Sequence, residues 1–233
     1  FEILSCRSES EGRVAMPIRL SRDARLIRFS SSDGLQLEGR LTLGESGRAI
    51  VLCHPHPLYG GSMLTPVILT VEQTFREAGY TTLAFNFRGV GGSEGEHGEG
   101  RAEVADVTGA LEFLANTLEA LPPMLVVAGY SFGSVVGGRV AATDPRVYLY
   151  LGIAPPVNLH DFGFLQSARC RIALIDGSRD ELCEPHRLER FVISLPGEFW
   201  MRILDTDHFF EGALEGLAEA CREIITWAGE GDA

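Results

Sequence analysis

The sequence contains no lysine, because all 20 of its basic residues are arginine. This absence excludes chemistry that requires a lysine amine, such as a Schiff base with a carbonyl substrate or a lysine-bearing phosphate loop. The sequence also lacks an apolar run long enough to cross a bilayer, so we expect no membrane association. The formal net charge of -12 argues further against nucleic acid or an anionic membrane surface as a partner.

Cysteine is scarce and irregularly placed. The five residues are Cys6, Cys53, Cys170, Cys183 and Cys221. They form no Cys-x-x-Cys pair, and their odd number leaves at least one without a partner. We therefore expect free thiols in a reducing cytoplasm, rather than disulfides or a zinc site.

What the sequence does contain is a regular succession of strand and helix patterns. Short apolar runs between turn residues predict strands, and apolar residues at helical spacing predict helices. Two alternating segments, 25–30 and 35–43, predict an antiparallel hairpin around Ser32-Asp33-Gly34. Further strands are predicted at 49–53, 80–87, 147–153, 171–175 and 199–204. Helices are predicted at 65–78, 103–118, 184–195 and 214–227.

This succession predicts an α/β fold. Strands that alternate with helices after an antiparallel start favour a mostly parallel central sheet with helices on both faces. No repeat, linker or low-complexity segment divides the chain, so residues 21–233 are predicted to form a single domain. Residues 1–20 are polar and irregular and are predicted to form an N-terminal arm. In such a sheet, ligands bind at the carboxyl ends of the strands.

One of these ends lies in residues 125–133, Leu-Val-Val-Ala-Gly-Tyr-Ser-Phe-Gly. An apolar run that breaks into Gly-x-Ser-x-Gly predicts a buried strand, a sharp turn and a helix, with Ser131 at the bend. The two glycines allow neighbouring backbone to approach closely where side chains are absent. Ser131 is therefore a candidate nucleophile, and an incidental serine in a strand–turn–helix is the alternative.

Two further residues supply the partners that a serine nucleophile needs. A base must take the hydroxyl proton, and an acid must hold that base in the correct tautomer. Asp180 and His208 each follow a predicted strand. The strand, sharp turn and helix around Ser131 are called a nucleophile elbow, and the order Ser131, Asp180, His208 is the chain order of triads built on such an elbow. We expect the three side chains at one edge of the sheet, with Asp176 and Asp207 as competing acids.

Over residues 25–227 the sequence resembles the α/β-hydrolase superfamily. Besides the elbow, the matching motifs are His-Pro-His-Pro at 54–57, Asn-Phe-Arg-Gly-Val-Gly-Gly-Ser at 86–93, Gly-Ser-Arg-Asp at 177–180 and Asp-His-Phe-Phe at 207–210. Within the superfamily the chain is similar to small, lidless bacterial serine esterases and hydrolases with a His-Pro-His-Pro loop. The resemblance implies an α/β-hydrolase fold with no large cap domain and no cofactor.

The resemblance also implies a role for each member of the triad. Ser131 is expected to be the nucleophile, and His208 is expected to be the general base and then the general acid. Asp180 is expected to be the orienting carboxylate, because the family pattern places the acid three residues after Gly177. Asp176 is then expected only to end its strand.

Two backbone N–H groups are expected to stabilise the oxyanion that develops on a substrate carbonyl. One is the N–H of Phe132, which follows the nucleophile at a helix N-terminus. Matching the family's His-Gly-x-Pro to 54–57 selects the N–H of His56 as the other. Proline replaces the family's glycine here, so Leu58 and Tyr59 stay open as alternative donors.

The segment between the strands predicted at 147–153 and 171–175 is too short for the helical cap that the family often inserts there. We therefore expect a shallow, open cleft. The acidic loop predicted at 94–99 disfavours anionic substrates. The apolar side chains predicted to line the cleft are Leu58, Tyr59, Phe162, Phe164, Leu165 and Phe209.

Three histidines and one arginine raise the questions of a metal site and of substrate binding. His54, His56 and His97 lie on predicted loops, but no ligand set with fixed spacing surrounds them, so we predict no metal site. The intervening prolines are expected to stiffen a turn instead. Arg88 is predicted to anchor its loop rather than to bind a substrate.

These observations predict a serine hydrolase of short-chain, uncharged carboxylic esters that acts on small molecules through an acyl-enzyme on Ser131. A peptidase or amidase that uses the same triad is the alternative among enzymes. A non-catalytic binding module on the same fold is the alternative from another class. Such modules usually lose a member of the triad, and this sequence retains a candidate for each position.

Overall fold

The structure of the protein is a computed structural model that describes residues 23–118, 122–195 and 197–229. The N-terminal arm predicted at 1–20 lies outside the described residues. The strands of the described part are β1 (Arg25–Ser30), β2 (Gln36–Thr42), β3 (Ala49–Cys53), β4 (Thr81–Phe85), β5 (Leu125–Tyr130), β6 (Leu149–Ile153), β7 (Arg171–Gly177) and β8 (Phe199–Leu204). The α-helices of the same part are α1 (Pro66–Glu77), α2 (Glu103–Thr117), α3 (Phe132–Thr143), α4 (Pro185–Ile193) and α5 (Leu214–Gly229).

The eight strands form one sheet in the order β1-β2-β4-β3-β5-β6-β7-β8. β1 pairs antiparallel with β2, and β2 pairs antiparallel with β4, whereas every other pair is parallel. The predicted parallel sheet with an antiparallel N-terminal hairpin is thus confirmed. Because β3 and β5 to β8 run in the same direction, their carboxyl ends meet at one edge of the sheet.

β3 shows how the sheet is covered on both faces. All five of its residues are buried. Ala49, Val51 and Cys53 belong to one apolar cluster, and Ile50 and Leu52 belong to the other. Helices α2, α3 and α4 contribute side chains to the first cluster, and α1 and α5 contribute to the second. Helices therefore cover both faces, as the sequence predicts.

Local signals set the bounds of the helices. Pro66 begins α1, and Gly79, with φ of 83°, follows its end in the left-handed conformation that glycine tolerates. The longest described helix, α5, has 16 residues. None of the helices in the described ranges is long and apolar enough to cross a membrane.

The strand predicted at 80–87 ends earlier than expected, at Phe85. The N–H of Phe87 donates to Nε2 of His54 at 3.0 Å instead of pairing with a neighbouring strand. The ladder stops there because a side chain from the adjoining loop takes the place of a backbone acceptor. Strand propensity in the sequence does not report such a partner.

The bend between β5 and α3 brings Ser131 to the edge of the sheet. Ser131 has φ of 52° and ψ of -116°, a conformation that residues other than glycine rarely adopt. A Cβ on Gly129 would lie 2.2 Å from the carbonyl oxygen of Gly133, and one on Gly133 would lie 2.1 Å from the carbonyl oxygen of Cys53. Both glycines are therefore required by the close approach of α3 to the ends of β3 and β5.

We expect Gly133→Ala to lower the free energy of unfolding by about 2 kcal/mol, because its methyl group would overlap backbone atoms of β3. Gly216→Ala, in α5, is the matched control, since its Cβ would meet only the Leu204 side chain at 3.8 Å. The control should be stabilising by less than about 1 kcal/mol, because alanine favours the helix over glycine. Urea unfolding followed by circular dichroism measures both variants. A Gly133→Ala protein as stable as the wild type would contradict the close approach.

Candidate active site

Ser131, His208 and Asp180 form a continuous line of hydrogen bonds at the carboxyl edge of the sheet. Oγ of Ser131 lies 2.9 Å from Nε2 of His208, and Nδ1 of His208 lies 2.6 Å from Oδ2 of Asp180. All three residues are buried. When Nδ1–H donates to Asp180, Nε2 is left to accept the hydroxyl proton of Ser131. The structure thus brings together the three residues that the sequence predicts as a triad.

Two further contacts hold the acid and the base in place. Oδ1 of Asp180 accepts a hydrogen bond from the N–H of Leu182 at 2.7 Å, which fixes the second oxygen of the carboxylate. The hydroxyl of Tyr130 donates to the carbonyl oxygen of His208 at 2.9 Å. The loop that carries His208 is therefore tied to the elbow itself.

The two competing acids make no hydrogen bond to His208 in the described part of the chain. The Asp207 carboxylate accepts two backbone N–H groups of its own loop, at 3.0 and 3.3 Å. Asp176 is 0% exposed, and neither of its carboxyl oxygens has a hydrogen-bond partner among the described residues. Burial raises the pKa of Asp176 to about 8. The geometry therefore favours Asp180 as the acid of the triad.

The N–H groups of Phe132 and His56 are free to serve a ligand. Neither donates to an acceptor within the described residues, and the rings of the two residues lie 4.9 Å apart. The alternative donors are already engaged. The N–H of Leu58 donates to Nδ1 of His56 at 3.2 Å, and the N–H of Tyr59 donates to the carbonyl oxygen of His56 at 3.1 Å. These contacts favour Phe132 and His56, whose role as oxyanion donors stays a prediction.

His54 anchors the start of the loop that follows β3. The side chain is fully buried, Nδ1 donates to the carbonyl oxygen of Pro55 at 2.6 Å, and Nε2 accepts the N–H of Phe87. Burial lowers the pKa of His54 to about 4, so the imidazole is neutral. Both of its nitrogens are thus engaged within the protein. In the ranges that the structure describes, no group of three or more histidine, cysteine or acidic side chains is arranged to hold a metal.

Arg88 anchors the loop after β4. Its guanidinium binds the carboxylate of Asp106 at 2.7 Å and that of Asp33 at 2.9 Å. Only 7% of the Arg88 side chain is exposed. The ion pairs with both carboxylates and the burial of the Arg88 side chain agree with its predicted role as a loop anchor.

A cavity of about 250 Å³ opens beside Ser131. Tyr59 and Phe209, both predicted pocket residues, stand at its rim with 88% and 73% of their surface exposed. The remaining wall comes from the loop after β3, from the elbow and from the loop after β7. The residues that line it are Pro55, His56, Tyr59, Gly60, Gly61, Thr65, Tyr130, Ser131, Leu182, His208 and Phe209.

Leu58, Phe162, Phe164 and Leu165 do not line this cavity, contrary to the sequence-based prediction. Phe162 and Leu165 are buried in the core, and the ring of Phe164 packs 5.4 Å from that of Phe162. The connection between β6 and β7 therefore packs Phe162 and Leu165 inward, in the same core cluster as side chains of α3. Leu58 is 72% exposed.

The sequence analysis missed Tyr130, Thr65 and Leu182 as residues of the site. Tyr130 lies inside the Gly-x-Ser-x-Gly motif, so its place beside the nucleophile was the available signal. Leu182 lies two residues after Asp180, on the loop that leaves β7. Thr65 precedes α1, and nothing in its sequence surroundings relates it to the elbow.

Comparison with known proteins places these features in a family, although no family model matches the chain. An uncharacterised protein of Rickettsia prowazekii is 31% identical over 210 residues, which cover 85% of this chain and 87% of the relative. The solved structure of an Agrobacterium tumefaciens protein of unknown function, described as an α/β hydrolase, has a TM-score of 0.83 and 30% identity. That alignment covers 89% of this chain and 98% of the other.

A solved α/β serine hydrolase without a lid, from Xanthomonas campestris, has a TM-score of 0.79 and 27% identity. That alignment covers 89% of this chain and 96% of the other. In this chain the connection between β6 and β7, residues 154–170, holds one short 3₁₀ helix at Gly163–Ser167 and likewise carries no lid. The chain therefore belongs to the α/β-hydrolase family, among the serine hydrolases that lack a lid.

Proposed function

We propose that the protein hydrolyses short-chain, uncharged carboxylic esters through an acyl-enzyme on Ser131. The observation that carries this proposal is the unbroken line of contacts from Ser131 through His208 to Asp180, at 2.9 and 2.6 Å. These are the separations at which a base can remove the proton of its nucleophile. The substrate is taken to be a small molecule that reaches the open cavity from solvent.

In the first half of the reaction, Nε2 of His208 takes the hydroxyl proton while Oγ of Ser131 attacks the carbonyl carbon of the ester. Asp180 stabilises the imidazolium that forms and keeps the ring oriented. The N–H groups of Phe132 and His56 donate to the oxyanion of the tetrahedral intermediate. The C–O bond to the alcohol then breaks, and His208 returns its proton to the departing alkoxide.

The second half repeats these steps with water. His208 takes a proton from a water molecule, whose oxygen attacks the carbonyl carbon of the acyl-enzyme. The second tetrahedral intermediate uses the same two N–H donors. When it breaks down, the ester bond to Oγ of Ser131 is cleaved, His208 protonates Oγ, and the carboxylic acid leaves.

Among the residues that the structure describes, cysteine offers no rival nucleophile at neutral pH. Cys53, Cys170, Cys183 and Cys221 are free in the described structure. Burial raises the pKa of Cys170 to about 11 and that of Cys221 to about 12, and it raises the pKa of Cys53 as well. Free thiols also support the proposed cytoplasmic location, since disulfides are rare there.

The size and charge of the site support small, uncharged substrates. The cavity of about 250 Å³ lies just below the usual range of ligand-pocket volumes, about 300–1,000 Å³. The carboxylates of Glu94, Glu96 and Glu99 lie in the loop after β4, and the chain has a net charge of -12. A negatively charged substrate would therefore be repelled in a salt-dependent way.

We expect Ser131→Ala to lower kcat for p-nitrophenyl butyrate by roughly 10⁴-fold or more, because the nucleophile is lost. His208→Ala should lose about as much, and the double variant should lose little more, since the triad acts as a unit. Ser178→Ala, an exposed serine at the same edge of the sheet, is the matched control and should keep wild-type turnover.

A fluorophosphonate probe tests the same assignment without an ester. It should label the wild type and Ser178→Ala but not Ser131→Ala. Retention of one tenth of the turnover, or of the label, in Ser131→Ala would contradict the mechanism. Hydrolysis of p-nitroanilides in preference to the matching esters would favour the amidase alternative.

The size of the cavity predicts a preference for short acyl chains. We expect kcat/KM to be highest for acetate or butyrate esters of p-nitrophenol and to fall at octanoate, because the acyl chain and the p-nitrophenyl group must share a cavity of about 250 Å³. Leu182→Phe, which narrows the wall, should reduce butyrate turnover more than acetate turnover. Leu159→Phe, at an exposed position outside this wall, is the control and should leave the ratio unchanged. Octanoate turnover well above that of butyrate would contradict the short-chain assignment.

A further inference from the structure

The mechanism makes no use of Asp176, the buried acid near the end of β7. The residue is 0% exposed, and neither carboxyl oxygen has a hydrogen-bond partner among the described residues. An ionised carboxylate in such a place would lose its hydration, and the Cys183 thiol beside it, a weak donor, does not outweigh that loss. The carboxyl group therefore keeps its proton, and its O–H group is a donor that needs an acceptor.

The acceptor for that donor is Asp180. The Asp176 carboxyl lies beside the carboxyl of Asp180 and the thiol of Cys183. Asp180 already accepts N–H groups from Leu182 and His208. Two adjacent buried carboxyl groups share one negative charge, as in other enzymes with paired acids. Here the charge belongs to Asp180 and the proton belongs to Asp176.

Few other charged groups face this pair. On β8, Ile203 lies opposite Asp176, and the neighbouring strand β6 ends in Ile153. Arg202 of β8 binds surface carboxylates of α5, and Arg179 binds Asp205. Burial keeps the Cys183 thiol protonated, because it raises the pKa of that thiol. The imidazole of His208 contacts the pair through Asp180.

We propose that Asp176 is a positioning residue, which donates its carboxylic O–H to the Asp180 carboxylate and thereby holds it toward His208. The inference rests on the proposed function, because it adds a supporting acid to the same triad. Loss of the Asp176 proton removes the donor and places a second negative charge beside Asp180. The hydrolase is then fully active only while this carboxyl is protonated.

The proposal predicts how stability and turnover depend on pH. Burial raises the pKa of Asp176 to about 8, whereas an aspartate in the unfolded chain ionises near pH 4. Between these values the unfolded chain releases a proton that the folded protein retains, so Asp176 destabilises the fold increasingly as pH rises. Turnover should fall through the upper end of the same window, as the folded protein loses that proton.

The test compares Asp176→Asn, which keeps a donor but cannot ionise, with Asp176→Leu, which has no donor. We expect the wild type to lose kcat for p-nitrophenyl butyrate above about pH 8 in a one-proton step. Asp176→Asn should keep neutral-pH kcat within about threefold and should lack this step. Asp176→Leu should lose roughly ten- to hundredfold in kcat with little change in KM, the range for a hydrogen bond to a charged group.

Asp205→Asn is the matched control. It removes a carboxylate from the exposed start of the loop after β8 and should retain the step near pH 8. Thermal unfolding supplies a separate readout. Tm of Asp176→Asn should exceed that of the wild type at pH 7, and the difference should vanish toward pH 4. A wild-type alkaline step that persists in Asp176→Asn, or full kcat in a folded Asp176→Leu, would overturn the proposal.

The rate of fluorophosphonate labelling, followed against pH in the same variants, separates this inference from the proposed function. If the wild type is labelled but hydrolyses no ester, the proposed substrate class fails. The labelling rates then still test Asp176, and they should show the same alkaline step and the same order of variants. Identical labelling rates in the wild type and Asp176→Leu at pH 7 would overturn the positioning role alone.

Discussion

The close approach of α3 to the ends of β3 and β5 is the constraint on which the rest of the site depends. Gly129 and Gly133 permit it, because a Cβ at either position would overlap backbone atoms at 2.2 or 2.1 Å. The resulting bend holds Ser131 at φ of 52° and leaves the N–H of Phe132 at the helix start unpaired in the described structure. The same edge of the parallel sheet also carries Asp180, on the loop after β7, and His208, on the loop after β8.

Three aspartates lie near His208, and their surroundings give them different tasks. Asp180 accepts one backbone N–H and the imidazole, so it carries the charge that the imidazolium needs. Asp207 accepts two backbone N–H groups and shapes the loop that presents His208. For Asp176, burial outweighs the weak donation of the Cys183 thiol, so this residue keeps its proton. The kind of donor that each carboxylate faces and the depth of its burial, more than its distance along the chain, separate the roles.

The sequence predicts the features that depend on local pattern. The glycines around Ser131 specify a tight bend, and a parallel sheet brings the ends of β5, β7 and β8 together, so Asp180 and His208 could be named in advance. Phe162 was misplaced, because an apolar pattern predicts burial and does not say whether a side chain faces the core or a cavity. The protonation state of Asp176 could not be predicted from the sequence either. It depends on how deeply the carboxyl is buried and on the groups that surround it in three dimensions.

The central claim is that the acyl group of the substrate is transferred to Ser131. The most direct measurement mixes the protein with p-nitrophenyl butyrate, quenches the reaction in acid within the first turnover, and locates the butyryl group by peptide mass spectrometry. The account predicts a burst of p-nitrophenol no larger than one per protein molecule and a butyryl group on the peptide that contains Ser131, at its hydroxyl. Turnover with a butyryl group on any other residue, or with none on Ser131 under conditions that trap the intermediate, would contradict it.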